Sequence, residues 1–237
     1  MKIIGINYLS ESSVALIENG KIKYAISQER LNRKKNWYGI PYQAIYHVLK
    51  KTKNKINDID YFTTFGLSAV LRDIPDKLIY KKKELEIKVS NLNAFRKKQQ
   101  LSYLRERYFH EKKVMWSRTM DCLKTLKKKF KKLLIYDHHE AHAASALYFS
   151  GWKNCYILTI DGWGDNSSSK LYKSINGKLN KITSSSTIDS LGYFYGSITK
   201  LLGFKPHQHE GKILGLAAFG NPKKANKDIS KMISFDK

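Results

Sequence analysis

Residues 137–165 read DHHEAHAASALYFSGWKNCYILTIDGWGD, and the interpretation of the whole chain starts from this stretch. It sets His138 and His142 four residues apart, so that on a helix beginning near Asp137 both side chains project from one face, about one turn from each other. Two neutral imidazoles favour zinc, iron, copper or nickel, and an open site needs a carboxylate or water as well. The pair predicts half of a metal site, although histidines at this spacing also occur exposed or hydrogen-bonded without a metal.

The second half of the stretch predicts a buried strand followed by a tight turn. Tyr156 to Ile160 is a short apolar run of β-forming residues. In the DGWGD that follows, the glycines permit positive φ and close approach of a phosphate to backbone amides, while the aspartates can hold a hydrated Mg²⁺ or a hydroxyl. These binding candidates are Asp161, Gly162, Gly164 and Asp165. Asp-Gly is also a hairpin signal, and the two interpretations are compatible.

Composition restricts the class of protein. The 237 residues suffice for a proper core, and 44 Lys and Arg against 20 Asp and Glu give a net charge of +24. Such a charge attracts nucleic acid, anionic membranes or phosphorylated ligands. Only two cysteines occur, and neither a cleavable leader nor a membrane-length apolar run is visible. We therefore expect a soluble, cytoplasmic protein without a disulfide framework.

The N-terminal pattern predicts a mixed sheet with helices. Three strand-like runs, Lys2 to Asn7, Ser13 to Ile17 and Ile22 to Ser27, form a meander with Asn19-Gly20 as a tight turn. A helix from Pro41 to Lys51 and a buried strand from Ile59 to Phe65 follow. This order, with further β and α segments downstream, is typical of an α/β domain.

A basic helical insert is predicted from residue 71 to residue 132. Residues 72–132 hold 20 Lys and Arg against 7 Asp and Glu, a net +13. Apolar residues recur there at spacings of three and four, which indicates helices with an apolar side that faces a core and a basic outer face exposed to solvent. A binding face for an acidic sugar, a lipid headgroup or nucleic acid is the alternative, and it is not favoured, because aromatic residues at helical spacing usually face a core.

The C-terminal part predicts a hairpin, a helix and a glycine-rich loop. Asn176-Gly177 marks the hairpin, and Asp189-Ser190 caps a helix that runs from Leu191 to about Leu202. The glycine-rich segment after it contains Glu210 and Lys212, and Lys212 pairs either with a ligand anion or with Glu210. We interpret the segment around His207 and His209 as a mobile loop.

Five ordered stretches resemble a known family. They are GINYLSESSVALIENGKIKYAISQERLNRKK, DHHEAHAASALYFSG, LTIDGWGDNSSS, SLGYFYGSITKLLGF and EGKILGLAAFGNP. Together they resemble the N-terminal part of the carbamoyltransferases that modify nodulation factors and antibiotics. The resemblance extends from Gly5 to Pro222 and so covers most of the chain.

The resemblance implies a fold and an activity. The fold is that of the tRNA-threonylcarbamoyl transferase, an actin-like and Hsp70-like architecture of two RNase H-like lobes. Residues 1–70 would begin the first lobe, residues 71–132 would form the insert, and residues 133–237 would complete that lobe and begin an incomplete second one. The implied activity is transfer of a carbamoyl group from carbamoyl-adenylate, made with ATP, to a hydroxyl of a small sugar-like or secondary-metabolite acceptor.

The resemblance also assigns residues, although it identifies no catalytic residue. His138 and His142 match the metal-binding histidines, with iron implied and zinc possible by chemistry. Asp161, Gly162, Gly164 and Asp165 match the second phosphate loop. The first phosphate loop matches the turn at residues 10–13, from which Glu11 and Ser13 are the candidate ligands; the family usually has His-Asp-Ala-Ser there.

Two features of the family have no counterpart in this sequence. A further metal-binding aspartate has no match before Lys237, and neither the rest of the second lobe nor the domain that makes carbamoyl-adenylate is present. The resemblance therefore predicts that this chain is a fragment, a split subunit or an inactive copy. It also implies a C-terminal half or subunit of the carbamoyltransferase as a partner. The alternatives are a tRNA-modifying or ATP-dependent phosphotransferase of the same fold, and a non-catalytic subunit that supplies half a site.

Overall fold

The computed structural model describes residues 1–66, 77–109, 116–230 and 232–233. The chain forms two β-sheets with helices around them. In this described part of the chain, no helix combines the length and the apolarity needed to cross a membrane.

The first sheet has five strands in the order β3-β2-β1-β4-β5. β1 pairs antiparallel with β2, β2 pairs antiparallel with β3, and β1, β4 and β5 run parallel to one another. The predicted meander and the predicted α/β class are thus confirmed as a mixed sheet; the RNase H-like fold stays a prediction. The strands are β1 Lys2–Asn7, β2 Ser13–Glu18, β3 Lys21–Ser27, β4 Tyr61–Phe65 and β5 Leu133–Tyr136.

Among the described residues of the first two thirds of the chain, six α-helices precede or follow these strands. They are α1 Glu29–Asn32, α2 Tyr42–Lys51, α3 Lys77–Val89, α4 Ala94–Phe109, α5 Trp116–Lys129 and α6 His138–Ser150. The predicted helical insert is therefore helical over residues 77–109 and 116–129, whereas residues 71–76 and 110–115 lie outside the described residues.

The main core lies on one face of the first sheet. Alternate residues of β1 and β2 point toward this face because side chains alternate along a strand, and they meet the apolar sides of α2 and α5. The rings of Phe62 and Phe130 stack there with centroids 4.1 Å apart. Each such buried side chain contributes roughly 1.5–3 kcal/mol. The core includes Ile4, Ile6, Val14, Leu16, Ile45, Val48, Leu123 and Leu126.

The second sheet is an antiparallel meander of β6, β7 and β8. Its strands are Cys155–Gly164, Ser167–Ile175 and Lys178–Ser186. The predicted Asn176-Gly177 hairpin is confirmed, since both residues have positive φ. Helix α6 packs against β6 and β7 and so joins the two sheets.

Three further α-helices follow within residues 191–230, and one prediction fails there. They are α7 Leu191–Leu201, α8 Glu210–Leu216 and α9 Pro222–Ile229. The cap of α7 by Ser190 is confirmed, because its side chain accepts a hydrogen bond from Tyr193 N. The loop predicted at Glu210 and Lys212 is wrong, whereas His207 and His209 do lie in the turn and bend that precede the helix. Gly211 and Gly215 lie inside α8, which begins right after His209.

Candidate metal centre

The helix that carries the paired histidines begins where the sequence predicts. The Asp137 side chain accepts a hydrogen bond from Glu140 N at 3.0 Å and caps α6, and Gly151, with φ of 67°, ends it. A cap of this kind satisfies one of the free amides of the first turn. The cap fixes the start of the helix and with it the face that carries His138 and His142.

Asp161 completes a cluster of three side chains that could bind a metal ion. His138 Nε2 lies 2.7 Å from Asp161 Oδ2 and 3.0 Å from His142 Nε2, and His142 Nε2 lies 3.6 Å from the same carboxylate oxygen. The potential ligand atoms of these three side chains all lie within 4.8 Å of one another. The sequence predicted the histidines as half a site and assigned Asp161 to a phosphate loop; the structure brings it to the histidines.

The spacing of these atoms fits one divalent cation. Nitrogen and oxygen ligands lie about 2.0–2.2 Å from zinc, so ligands of the same ion lie about 2.9–3.5 Å from each other. The separation of 3.0 Å lies within that range, and those of 2.7 Å and 3.6 Å lie just outside it. The set of two imidazoles and one carboxylate suits zinc and iron, and in open sites it leaves further positions for water or substrate. The residues therefore fit the metal that the resemblance implies.

Electrostatics keep the carboxylate of this cluster ionised. Burial acts to raise the pKa of Asp161, but hydrogen bonds with His138 and His142 outweigh it and hold the pKa well below its usual range. The amide of Gly162 also donates to Asp161 Oδ1 at 2.6 Å. A carboxylate that stays ionised is ready to bind a cation without first losing a proton.

His139, between the two ligands, anchors the helix. It is fully buried, its Nε2 donates to the carbonyl of Ser167 at 3.1 Å, and its Nδ1 lies 2.8 Å from Thr159 Oγ1. Burial is the main reason why the pKa of His139 lies below its usual value, so the ring is neutral near pH 7. These contacts fasten α6 to β6 and β7 and fix the side that presents the metal ligands.

The Asp165 carboxylate accepts hydrogen bonds from two backbone amides. Its Oδ2 accepts hydrogen bonds from His138 N at 2.6 Å and from Gly66 N at 3.3 Å, and the residue is buried. The carboxylate thus ties the β6–β7 turn to the first turn of α6 and to the end of β4. A negative charge at a helix N-terminus is stabilising, so Asp165 positions His138.

Gly162 and Gly164 do not adopt the positive φ that glycine permits. In this turn the positive φ angles belong to Asp165, at 46°, and Asn166, at 63°, because β6 continues to Gly164 and the chain reverses one residue later. The hairpin interpretation is confirmed, with β7 as the return strand. Gly164 is required for a different reason, since a Cβ there would lie 2.7 Å from His138 Cγ and closer still to its Cδ2.

This contact makes a matched pair of glycine variants informative. Gly164→Ala should displace the His138 ring and weaken divalent-metal binding about 10-fold or more, as disturbing the orientation of a ligand typically does. Gly162→Ala should leave affinity near the wild-type value, since a Cβ there meets nothing within 4 Å. Isothermal titration with Zn²⁺ measures both. Equal affinities for the two variants would contradict the steric explanation.

The buried ion pair between Lys170 and Asp137, at the start of α6, was not predicted from the sequence. Lys170 Nζ contacts Asp137 Oδ2, and the hydroxyl of Tyr172 lies 3.5 Å from the other oxygen of that carboxylate. Lys170 is only 7% exposed. A lysine at an inward position of an alternating strand is the one signal that could have revealed it.

The turn at residues 10–13 lies beside a cavity. This cavity, of about 770 Å³, is lined by Ser13, Arg30 and Phe65 and by Ala141 of α6. The ring of Phe65 also meets the His138 ring edge-on, with centroids 5.1 Å apart. Ser13 therefore lines a cavity whose wall residue Phe65 contacts the His138 ring, whereas Glu11 lies exposed at the hairpin tip with φ of 57°.

Glu210 and Lys212 belong to a separate group of contacts on α8. Glu210 Oε1 accepts a hydrogen bond from His207 N at 2.6 Å, and Lys212 Nζ lies 3.2 Å from His209 Nε2. Lys212 thus approaches a histidine. The structure does not bring these two residues into the group formed by His138, His142 and Asp161.

Comparison with known proteins identifies the family. A family model described as the carbamoyltransferase N-terminus matches residues 2–234. Uncharacterised proteins from Synechocystis sp. and Methanocaldococcus jannaschii are 31% and 32% identical over 93% and 92% of this chain, which spans 35% and 33% of their lengths. Nodulation protein NolNO of Sinorhizobium fredii is 26% identical over 91% of this chain and 28% of its own length.

The fold and the site together define a mixed α/β protein with a cluster of two histidines and one aspartate suited to a divalent metal. More particularly, the chain belongs to the carbamoyltransferase family and corresponds to its N-terminal region. It spans about a third of the length of the relatives that it matches.

Proposed function

We propose that this chain forms the metal-binding part of an O-carbamoyltransferase. The observation that carries the proposal is the cluster of His138, His142 and Asp161, whose ligand atoms fit one ion in a member of this family. The donor would be carbamoyl-adenylate, and the acceptor would be a hydroxyl of a small sugar-like or secondary-metabolite molecule. In the reaction a bond forms between the hydroxyl oxygen and the carbamoyl carbon, and the bond from that carbon to the adenylate phosphate oxygen breaks. AMP leaves, and the hydroxyl proton is released.

Each part of the site would have a distinct task. His138, His142 and Asp161 would hold the divalent metal, with iron favoured and zinc also suitable, and the bound ion would supply Lewis-acid polarisation of the carbamoyl-phosphate oxygens. Asp165 and His139 would keep the ligands in position.

The two turns beside the cluster would surround the phosphate. The turn at residues 10–13 brings Ser13 to the adjoining cavity, where a hydroxyl can donate to a phosphate oxygen. Ser12, in the same turn, is fully buried, and its Oγ lacks a hydrogen-bond partner among the described residues. The end of β6, just before the second turn, would supply the backbone of Gly162 and Gly164, next to Asp161 and His138.

The test combines metal removal with an assay of transfer. The chain is purified together with a polypeptide carrying the C-terminal part of the family sequence, treated with a chelator, and supplied with labelled carbamoyl phosphate, ATP and a set of hydroxyl acceptors. We expect one metal ion per chain and a loss of transfer of at least about 100-fold on metal removal, reversed by Fe²⁺. Full transfer by the metal-free protein would refute the proposed role of the cluster.

A non-catalytic role is the second candidate, because the chain spans about a third of its relatives. As a subunit that supplies half a site it would bind metal without turnover. The same assay separates the two functions: turnover by the chain alone excludes the second, whereas metal binding without any transfer in the presence of the C-terminal polypeptide favours it.

A further inference from the structure

Two neighbouring helices, α2 and α5, present a strongly basic surface to solvent. Residues 30–55 contain 8 Lys and Arg and no Asp or Glu, and residues 116–132 contain 7 Lys and Arg and one Asp. The apolar sides of the two helices pack into the same core on one face of the first sheet. Their outer sides adjoin where Lys129 meets Tyr42. Positive charge from both segments therefore accumulates on one side of the molecule.

The lysines of this surface are available to a partner. All six lysines of residues 116–132 are exposed, and within the part of the chain that the structure describes none of them forms an ion pair with a carboxylate. Clustered cations of this kind attract polyanions, and their contacts with phosphates gain free energy from released counterions. They are Lys124, Lys127, Lys128, Lys129, Lys131 and Lys132.

A row of exposed tyrosines crosses the basic surface. Tyr38, Tyr42 and Tyr46 follow one another at spacings of four residues and are 41%, 39% and 52% exposed. The last two lie one turn apart on the outer side of α2. Lys129 Nζ lies 4.3 Å from the centroid of the Tyr42 ring and 5.1 Å from that of Tyr46. This tyrosine row and the lysines of α5 thus form one continuous surface.

The tyrosine row differs in position from the aromatic residues of the insert. Phe130, in the insert segment, is 2% exposed and faces the core. The row comes from α2 and the loop before it, where the rings face solvent. Exposed rings offer stacking partners to unpaired bases, and adjacent cations offer partners to the phosphates; this combination binds single strands without sequence preference. In a duplex the bases stack on one another, so that only the cations would take part.

We propose that the tyrosine row and the lysines of α5 form a platform that binds single-stranded nucleic acid. Tyr42 and Tyr46 are about 6 Å apart along the helix axis, so each ring can take its own base along an extended strand. The platform lies on the outer side of α2 and α5, whereas α6 and β6 carry the metal cluster. The inference goes beyond the proposed carbamoyl transfer and does not depend on it.

Fluorescence anisotropy tests the platform with three labelled probes: oligothymidylate, oligouridylate and a DNA duplex of the same length. At least one of the single strands should bind about 10-fold more tightly than the duplex, and the comparison of the two shows whether DNA or RNA is preferred. Tyr42→Ala combined with Tyr46→Ala should weaken single-strand binding about 10-fold or more and leave duplex binding unchanged, because only stacking is lost.

A second exposed tyrosine–lysine pair provides the control. Tyr156, on β6 of the other sheet, is 65% exposed and has Lys173 Nζ 5.6 Å from its ring centroid. Tyr156→Ala should bind all three probes as the wild-type protein does. Circular dichroism checks that each variant is folded, and the measurements are made with a chelator present, so that a failure of the platform and a failure of the metal site are seen separately.

The salt dependence separates the charges from the rings. Replacing Lys127, Lys128 and Lys129 together by glutamine should reduce the slope of log affinity against log salt by about 2 for a single strand. The double tyrosine variant should keep the wild-type slope. Full single-strand affinity in that double variant would overturn the proposal, as would equal affinity for single strand and duplex, or no binding up to about 100 μM protein. Binding only to vesicles of phosphatidylcholine and phosphatidylserine would identify a membrane as the partner and would overturn it too.

Discussion

Asp161→Asn lowers the affinity for a divalent metal by more than about 100-fold. Loss of a residue that merely orients a ligand typically costs 10–100-fold, and Asp161 supplies an oxygen 2.7 Å from His138 Nε2 and 3.6 Å from His142 Nε2. The asparagine keeps the shape and removes the charge that the two histidines hold ionised. Titration with Co²⁺, followed by its visible absorption, measures affinity and coordination together.

A conservative exchange elsewhere provides the control. Asp121→Asn removes the same charge from an exposed position on α5 and should bind Co²⁺ as the wild-type protein does. If Asp161→Asn also bound Co²⁺ with unchanged affinity and spectrum, the cluster would not be the metal site. Loss of binding by Asp161→Asn alone would place the third ligand on β6.

The histidines of the site were predictable, and Asp161 as their partner was not. His138 and His142 lie one turn apart on a helix whose cap, Asp137, is visible in the sequence. Asp161 lies 23 residues beyond His138 on a strand, and its approach depends on how α6 packs on β6. That packing is set by the buried contacts of His139, which local periodicity does not reveal.

The glycines show a similar limit. Glycine permits positive φ in the turn, but Asp165 and Asn166 adopt it instead. Gly164 is a glycine because His138 lies against it, a tertiary reason rather than a local one. Likewise, glycines around residue 211 predicted a loop where α8 forms, since glycine lowers helix propensity without preventing a helix. The strands were predicted well because their alternation reflects burial directly.

The second large effect concerns the ion pair between Lys170 and Asp137 at the start of α6. Lys170→Met should lower the free energy of unfolding by about 3–5 kcal/mol, because it leaves the Asp137 carboxylate largely buried without its cation. For a chain of this size that corresponds to a fall in melting temperature of roughly 6–20 °C. Thermal and urea unfolding followed by circular dichroism measure the change.

Lys173→Met is the matched control, since Lys173 lies on the same strand with its side chain exposed on the other face. It should change stability by no more than about 0.5 kcal/mol. A double variant isolates the cause. Adding Asp137→Asn to Lys170→Met removes the uncompensated charge and keeps a side chain able to cap α6, so part of the lost stability should return. The opposite outcome is a double variant that is less stable than Lys170→Met by the full cost of a lost helix cap. In that case the effect of Lys170→Met would come from lost packing of the lysine stem and not from the buried charge.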